Sequence, residues 1–144
     1  MKKGIRLGVA VNKVAVLIEL PTWLGDCVMA TPSIENIVNF YNDVEITFIG
    51  SFVSIESMKN HPKAVKMIVL DKKYSYLYKT AKSLGEFDAF FSFRSSFRTK
   101  FFKFLISAKN KYQFDKNKYK VGHQVKKYNN FINGSLGIDT SPDK

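Results

Sequence analysis

The chain has 144 residues, of which 45% are hydrophobic, and this is enough to bury one core, so we expect a single domain. Aromatic residues make up 15% of the chain and include 13 phenylalanines, a composition that argues against a largely disordered protein. The single cysteine excludes an internal disulfide framework. No apolar run reaches the roughly 20 residues that a membrane-spanning helix needs.

The first 13 residues are predicted to form a flexible extension ahead of the first strand. Their basic start resembles that of a signal peptide. However, Asn12, Lys13 and Glu19 interrupt the apolar stretch, and no small-residue cleavage site follows. We therefore expect a cytoplasmic protein.

The net charge of +11 is concentrated in one block of the sequence. Between Arg94 and Lys127 there are eleven Lys and Arg residues against one acid, Asp115, so this block carries ten of the eleven net charges. Such a block attracts a polyanion, which leaves nucleic acid, an anionic membrane or a phosphorylated ligand as possible partners.

The stretch VAVLIELPTWLGDCVMATPS, residues 14–33, carries the most information. Its apolar run at 14–18 is typical of a strand buried on both faces. A tight turn follows at 21–26, and then Ala30, Ile34 and Ile37 recur at helical spacing. The turn therefore places Asp26 just beyond the carboxyl end of the strand, where ligands bind in open α/β sheets. The alternative is that Asp26 only caps the helix.

The rest of the chain continues the alternation of strands and helices. Strands are predicted at 43–50, 65–70, 89–93 and 112–114, and helices at 51–60, 73–85, 99–108 and 122–133. This order predicts a Rossmann-like open parallel sheet with right-handed crossovers and helices on both faces.

In a parallel sheet, the turns after the first and fourth strands project from the same edge. The first turn carries Asp26, and the second, at 94–98, carries Arg94 and Arg98. A carboxylate facing a cationic wall suits a general base that acts on a hydroxyl of an anionic substrate.

Several other kinds of site lack support in the sequence. There is no Walker A sequence, no GxGxxG after the first strand and no metal-ligand spacing. His61 precedes a proline, which favours a loop position over a ligand role. Cys27 has no evident partner base, so a small buried thiol is favoured over a nucleophile.

The turn LPTWLGDCVMATPS and the strand VEITFIGS resemble the N-terminal half of the heptosyltransferases of glycosyltransferase family 9, which add heptose to the inner core of bacterial lipopolysaccharide. The Pro-Thr-Trp-Leu-Gly-Asp form of the turn is closer to the heptosyltransferase II group than to heptosyltransferase I. FSFRSSFRTK and HQVKKY are similar to the family at the corresponding places. The resemblance covers residues 14–137.

The resemblance implies a GT-B enzyme with two Rossmann-like domains. One domain holds the lipid-linked, phosphorylated acceptor, and the other holds the donor ADP-heptose. Transfer in the family inverts the anomeric carbon and needs no metal or other cofactor. It also implies that 14–137 is the acceptor-binding domain, that 138–144 is a tail at the interdomain linker, and that the donor domain is missing. A truncated acceptor-side half of this kind is expected to be inactive alone.

The family's functional positions map onto two turns of this sequence. Asp26 falls on the catalytic aspartate, the general base. The remaining matches are expected to contact substrate: Thr22, Trp23, Gly25, Arg94, Ser95, Ser96 and Arg98. The implied location is cytoplasmic and peripheral to the inner membrane, with the anionic membrane surface as a further partner.

Two other functions stay open at this point. Phenylalanines and tyrosines interleaved with lysines would suit a nucleic-acid-binding module, although most of these aromatics lie at core spacing and no recognised nucleic-acid motif is present, so we expect no nucleic-acid partner. A non-catalytic interaction domain is the other alternative.

Overall fold

A computed structural model describes residues 13–41, 43–70, 73–114 and 124–137. Almost all of the predicted extension at 1–13 and the whole predicted tail at 138–144 lie outside these ranges. No helix in the described ranges is long and apolar enough to cross a membrane.

Within the described residues, five strands alternate with five helices. The strands are β1 (Val14–Glu19), β2 (Val44–Gly50), β3 (Ala64–Val69), β4 (Glu86–Ser92) and β5 (Ser107–Gln113). The helices are α1 (Leu24–Tyr41), α2 (Phe52–Met58), α3 (Tyr74–Leu84), α4 (Phe97–Leu105) and α5 (Gln124–Leu136). All strand pairs are parallel, and the order across the sheet is β3-β2-β1-β4-β5. The predicted fold class is confirmed.

The central strand, β1, contributes to a core on each face of the sheet. Val16 and Ile18 point into one core, which α1, α2 and α5 cover. Leu17 points into the other core, which α3 and α4 cover. All three side chains are fully buried, which explains why the sequence of β1 is an unbroken apolar run.

Helix α5 packs against α1 and closes one face of the sheet. The side-chain amide of Asn36 on α1 donates a hydrogen bond of 2.7 Å to the side-chain oxygen of Asn129 on α5. Phe131 and Ile132 of the same helix are buried in the core beneath. This packing brings the first half of α5 close to the carboxyl edge of the sheet.

The main difference from the sequence prediction lies around β5. The predicted helix ran to residue 108, but α4 ends at Leu105, where the Ile106 amide still donates to the Phe102 carbonyl, and β5 begins at Ser107. The first five residues of this strand, SAKNK, are too polar to indicate a strand, so the sequence predicts only 112–114. The pairing of β5 with β4, which itself begins three residues earlier than predicted, stabilises an extended conformation that the local sequence does not specify.

Candidate functional site

The strand order reverses between β1 and β4, and the two strands end side by side. The strands β2 and β3 lie on one side of β1, and the strands β4 and β5 lie on the other. Glu19 and Ser92 are paired in register at these ends, and the Phe93 amide donates to the Glu19 carbonyl at 3.0 Å. Ligands of open α/β sheets bind outside the strand ends at such a reversal.

The turn after β1 leads directly into α1. The Leu20 amide donates to the Ile49 carbonyl, and the first helical hydrogen bond runs from the Cys27 amide to the Trp23 carbonyl at 3.0 Å. Asp26 is half-buried in the first turn of this helix, where the helix dipole stabilises a negative charge. Trp23 beside it is 71% exposed.

A wide cleft of about 570 Å³ opens at this point of the sheet edge. We call it the open cleft. It is lined by Pro21, Thr22, Trp23 and Asp26 after β1, by Phe93, Arg94, Ser95 and Ser96 after β4, and by Phe114, Lys127 and Tyr128. Most of the predicted site residues therefore share one surface, and the candidate base lines the same cleft as two cations, Arg94 and Lys127.

Two predicted site residues lie outside the open cleft. Gly25 is exposed and lines neither cavity, and an added Cβ there would meet no atom within 4 Å. Arg98 lines a smaller neighbouring cavity instead. The reason is that α4 already begins at Phe97, so Arg98 lies on the helix, which covers the opposite face of the sheet.

This neighbouring cavity has a volume of about 80 Å³, and we call it the inner cavity. It is lined by Glu19, Thr22, Gly50, Ser51, Leu70, Leu77, Arg94, Arg98, Thr99 and Phe102. Thr22 and Arg94 line both cavities and form the boundary between them.

Glu19 at the end of β1 is a site residue that the sequence analysis missed. Its side chain is 2% exposed, and it accepts hydrogen bonds from the hydroxyls of Ser92 at 2.8 Å and Thr99 at 3.4 Å. A guanidinium nitrogen of Arg94 lies 3.6 Å from the same carboxylate. Burial raises the pKa of Glu19, and the Ser92 hydrogen bond and the Arg94 charge offset part of that rise. A charged residue at the end of a buried apolar strand was the available signal.

Several further contacts hold the loop that carries Arg94. Its carbonyl accepts a hydrogen bond of 3.2 Å from the Gln113 side-chain amide of β5, and its amide donates to the Ser92 hydroxyl at 3.2 Å. Ser96 caps α4 by accepting from the Thr99 amide at 3.2 Å. The loop is thus tied to β4, β5 and α4, which fixes the guanidinium at the boundary of the two cavities.

The sequence analysis also did not identify Lys127 and Tyr128 of α5 as site residues. Tyr128 is buried edge-to-face against Phe93 and Phe114, with 5.1 Å between ring centres in both pairs. This packing places the adjacent Lys127 at the open cleft. The signal was the HQVKKY match, which gave the helix but not the side chain that reaches the site.

Two residues that the sequence analysis set aside are structural. Cys27 is buried, its thiol donates to the Pro21 carbonyl at 3.3 Å, and burial raises the pKa of the thiol. His61 lies in the loop before β3, with its Nε2 atom 2.9 Å from a Glu35 carboxylate oxygen.

Comparison with known proteins gives close sequence relatives. No established protein-family profile matches the chain. The chain is 43% identical over 125 residues to lipooligosaccharide heptosyltransferase 2 of Campylobacter jejuni serotype O:2, which covers 85% of this chain and 39% of that enzyme. The protein of the same name from serotype O:6 is 40% identical over the same share of each chain. The chain thus spans about two fifths of the length of these relatives.

Solved structures share the fold at much lower identity. A family 9 glycosyl transferase of Veillonella parvula has a TM-score of 0.74 at 20% identity, over 88% of this chain and 42% of that one. An Escherichia coli heptosyltransferase with bound ADP has a TM-score of 0.71 at 14% identity, over 87% and 48% of the two chains. The sequence relatives and the shared fold confirm the predicted resemblance to the family 9 heptosyltransferases over the two fifths of their length that this chain spans.

Proposed function

We propose that this chain forms the acceptor-side half of an enzyme that transfers heptose from ADP-heptose to the inner core of a lipopolysaccharide or lipooligosaccharide. The observation that carries the proposal is the position of Asp26 in one cleft with Arg94 and Lys127, where β1 and β4 end side by side. The 43% identity to a heptosyltransferase supports it. In this proposal, residues 14–137 act as the acceptor-binding domain.

Asp26 is the general base of the proposed reaction. Its carboxylate takes the proton of an acceptor hydroxyl while the oxygen forms a bond to the anomeric carbon of heptose. The bond from that carbon to the diphosphate breaks, and ADP leaves with the electron pair. Attack opposite the leaving group inverts the configuration at the anomeric carbon. This scheme assigns no role to a metal or another cofactor.

The other residues of the open cleft orient the acceptor. Arg94 and Lys127 attract its phosphate or carboxylate groups, and the fixed loop around Arg94 limits how the acceptor lies. The exposed ring of Trp23 offers a flat apolar surface for a sugar ring, and the hydroxyls of Ser95 and Ser96 offer polar contacts.

The donor is expected to bind mainly in the part of the relatives that this chain does not span. Much of the acceleration in a two-substrate reaction comes from holding both reactants in near-attack geometry, which is worth about 7–11 kcal/mol in favourable cases. In this proposal, the groups that hold the diphosphate lie in the part of the relatives that this chain does not span. We therefore expect no measurable transfer by the chain alone.

The test combines the purified chain with ADP-heptose and a truncated core acceptor, with and without a separately expressed donor half of a heptosyltransferase. Transfer is expected only with the added half, and Asp26→Asn should reduce it by about 10²–10⁴-fold. Asp43→Asn, the same substitution just before β2 and away from the open cleft, is the matched control. Full activity of the Asp26→Asn variant would disprove the role of the base.

A further inference from the structure

Two backbone carbonyls of the turn between β1 and α1 accept hydrogen bonds from serine side chains at the start of α2. The Ser51 hydroxyl donates to the Thr22 carbonyl at 2.9 Å. The Ser54 hydroxyl donates to the Pro21 carbonyl and lies 3.2 Å from the Thr22 carbonyl. The turn that leads to Asp26 is therefore held by a neighbouring helix.

Each serine hydroxyl carries one proton, which fixes how these contacts are shared. Each carbonyl receives a hydroxyl donor when Ser51 donates to Thr22 and Ser54 donates to Pro21. The Cys27 thiol adds a weaker hydrogen bond to the Pro21 carbonyl at 3.3 Å. Ser51 has a second role, because its oxygen accepts from the Ser54 amide and caps α2.

The hydroxyl of Ser54 lies deep inside the protein. Ser54 has no exposed surface, and it lines neither the open cleft nor the inner cavity. Alanine at this position would favour the helix and would avoid the cost of burying a hydroxyl. The two turn carbonyls account for the serine, because they need donors when water is excluded. Ser33 on α1 is equally buried, but its hydroxyl makes no hydrogen bond with the residues that the structure describes.

We infer that Ser54 is a positioning residue for Asp26 and that it acts by holding the turn at the Pro21 carbonyl. The peptide units that follow Pro21 and Thr22 lead directly into α1, whose first hydrogen bond is accepted by the Trp23 carbonyl. A turn held at these points presents the Asp26 carboxylate to the open cleft in one orientation. The inference rests on the proposed function for the role of Asp26 as general base.

The first experiment measures the order of the turn by NMR relaxation of its backbone amides in the full 144-residue chain. Ser54→Ala should lower the order parameters at Thr22 to Asp26, because the turn loses a donor from α2. Ser33→Ala is the matched control, a buried helical serine without this contact, and should leave them unchanged. Circular dichroism and thermal unfolding verify the fold of each variant. Unchanged order in a folded Ser54→Ala variant would overturn the inference.

A second variant keeps this test decisive if Ser54→Ala does not fold. Ser51→Ala removes the hydroxyl donor to Thr22 from a half-buried position, so it disturbs the core less. It should also lower the order parameters of the turn. Unchanged order in Ser51→Ala would then show that α2 does not hold the turn, and the inference would fail.

The second experiment measures transfer by the chain combined with the separately expressed donor half. Ser54→Ala should lower kcat by about tenfold, because a small displacement of the base weakens catalysis. The acceptor KM should stay within about twofold of the wild-type value, because Ser54 does not line the open cleft. Rates are divided by the folded fraction, so loss of folded protein does not imitate this result. Ser33→Ala should change neither constant.

A double-mutant cycle identifies the group through which Ser54 acts. In the Asp26→Asn background, Ser54→Ala should cause no further loss of transfer, because the carboxylate that it positions is gone. The same fold-loss in both backgrounds would mean that Ser54 acts on another part of the site, and this would overturn the inference.

The two experiments also separate this inference from the proposed function. Failure of the wild-type chain to transfer heptose with the added donor half would contradict the proposed function, and the NMR measurement would still decide whether Ser54 holds the turn. Unchanged order parameters together with normal wild-type transfer would overturn the inference and leave the proposed function standing.

Discussion

The open cleft and the inner cavity lie side by side at the same sheet edge, yet they hold their carboxylates in opposite ways. Asp26 lines a cleft of about 570 Å³ and lies half-buried at the start of a helix. Glu19 lines a cavity of about 80 Å³, where two hydroxyls and a guanidinium surround it. The first carboxylate is available to a substrate. The second has its oxygens engaged by the protein and acts on the site by holding Arg94.

Arg94 connects the two regions because it lines both. Its guanidinium lies 3.6 Å from Glu19, and its backbone is tied to β4 and β5. A cation that must face an anionic substrate is more effective when its position is fixed beforehand. In the proposed function, Glu19 therefore holds Arg94 in position, and Arg94 and Asp26 contact the substrate.

Among the stability effects, the largest is expected from removing the Glu19 carboxylate, and a smaller one from removing the Asp26 carboxylate. Glu19→Leu leaves the Ser92 and Thr99 hydroxyls and the Arg94 charge without their acceptor, which should lower the free energy of unfolding by about 1–3 kcal/mol. Asp26→Leu should cost less than about 1 kcal/mol, because only a helix-dipole interaction is lost. Urea unfolding of both variants measures the difference. A larger loss in Asp26→Leu would reverse the assignment of structural and functional acid.

A smaller effect, on the affinity for the acceptor, is expected from replacing each of the two arginines with alanine. Arg94 lines the open cleft and Arg98 does not, so Arg94→Ala should weaken binding of a phosphorylated core acceptor by about tenfold, the loss of one charge-assisted contact. Arg98→Ala should change it by less than about threefold. Calorimetric titration at two salt concentrations tests this, with stronger salt dependence in the wild type than in Arg94→Ala. Equal losses in both variants would mean that the inner cavity also holds part of the acceptor.

The sequence predicts the open cleft better than the inner cavity, and the reason is physical. The turn with Asp26 follows from local signals, because a buried strand, a turn and an amphipathic helix lie within residues 14–37. The environment of Glu19 depends on Ser92 and Thr99, which lie 73 and 80 residues further along the chain. Only the pairing of β1 with β4 brings them together.

The same distinction explains what the sequence missed elsewhere. Only the end of β5 was predicted, at 112–114, because its first residues are polar and are extended through their pairing with β4. Lys127 reaches the open cleft because Tyr128 packs between Phe93 and Phe114, a contact that no local pattern encodes. Arg98 was predicted to lie in the turn facing Asp26 because the start of α4 was predicted two residues too late, and it lines the inner cavity instead.

The smallest effect is the pH dependence that the buried acid gives to stability, and Glu19→Gln isolates it. Burial raises the pKa of Glu19 in the folded protein above the ordinary value of 4.5. The folded state then binds the proton more tightly than the unfolded state. The contribution of this group to stability is therefore fully present below pH 4.5 and is lost as the pH rises through the folded pKa.

Glutamine keeps the shape and an acceptor for the Ser92 hydroxyl but does not titrate, so the variant should gain stability relative to the wild type as the pH rises from 4.5. Urea unfolding over a series of pH values measures the difference, and Glu86→Gln controls for the loss of one exposed negative charge at the start of β4. If the wild type instead becomes more stable relative to Glu19→Gln as the pH rises, the attraction to Arg94 lowers the pKa of Glu19 by more than burial raises it. The inner cavity would then hold an ion pair stabilised by its charges, and its carboxylate would resemble Asp26 more closely than its burial indicates.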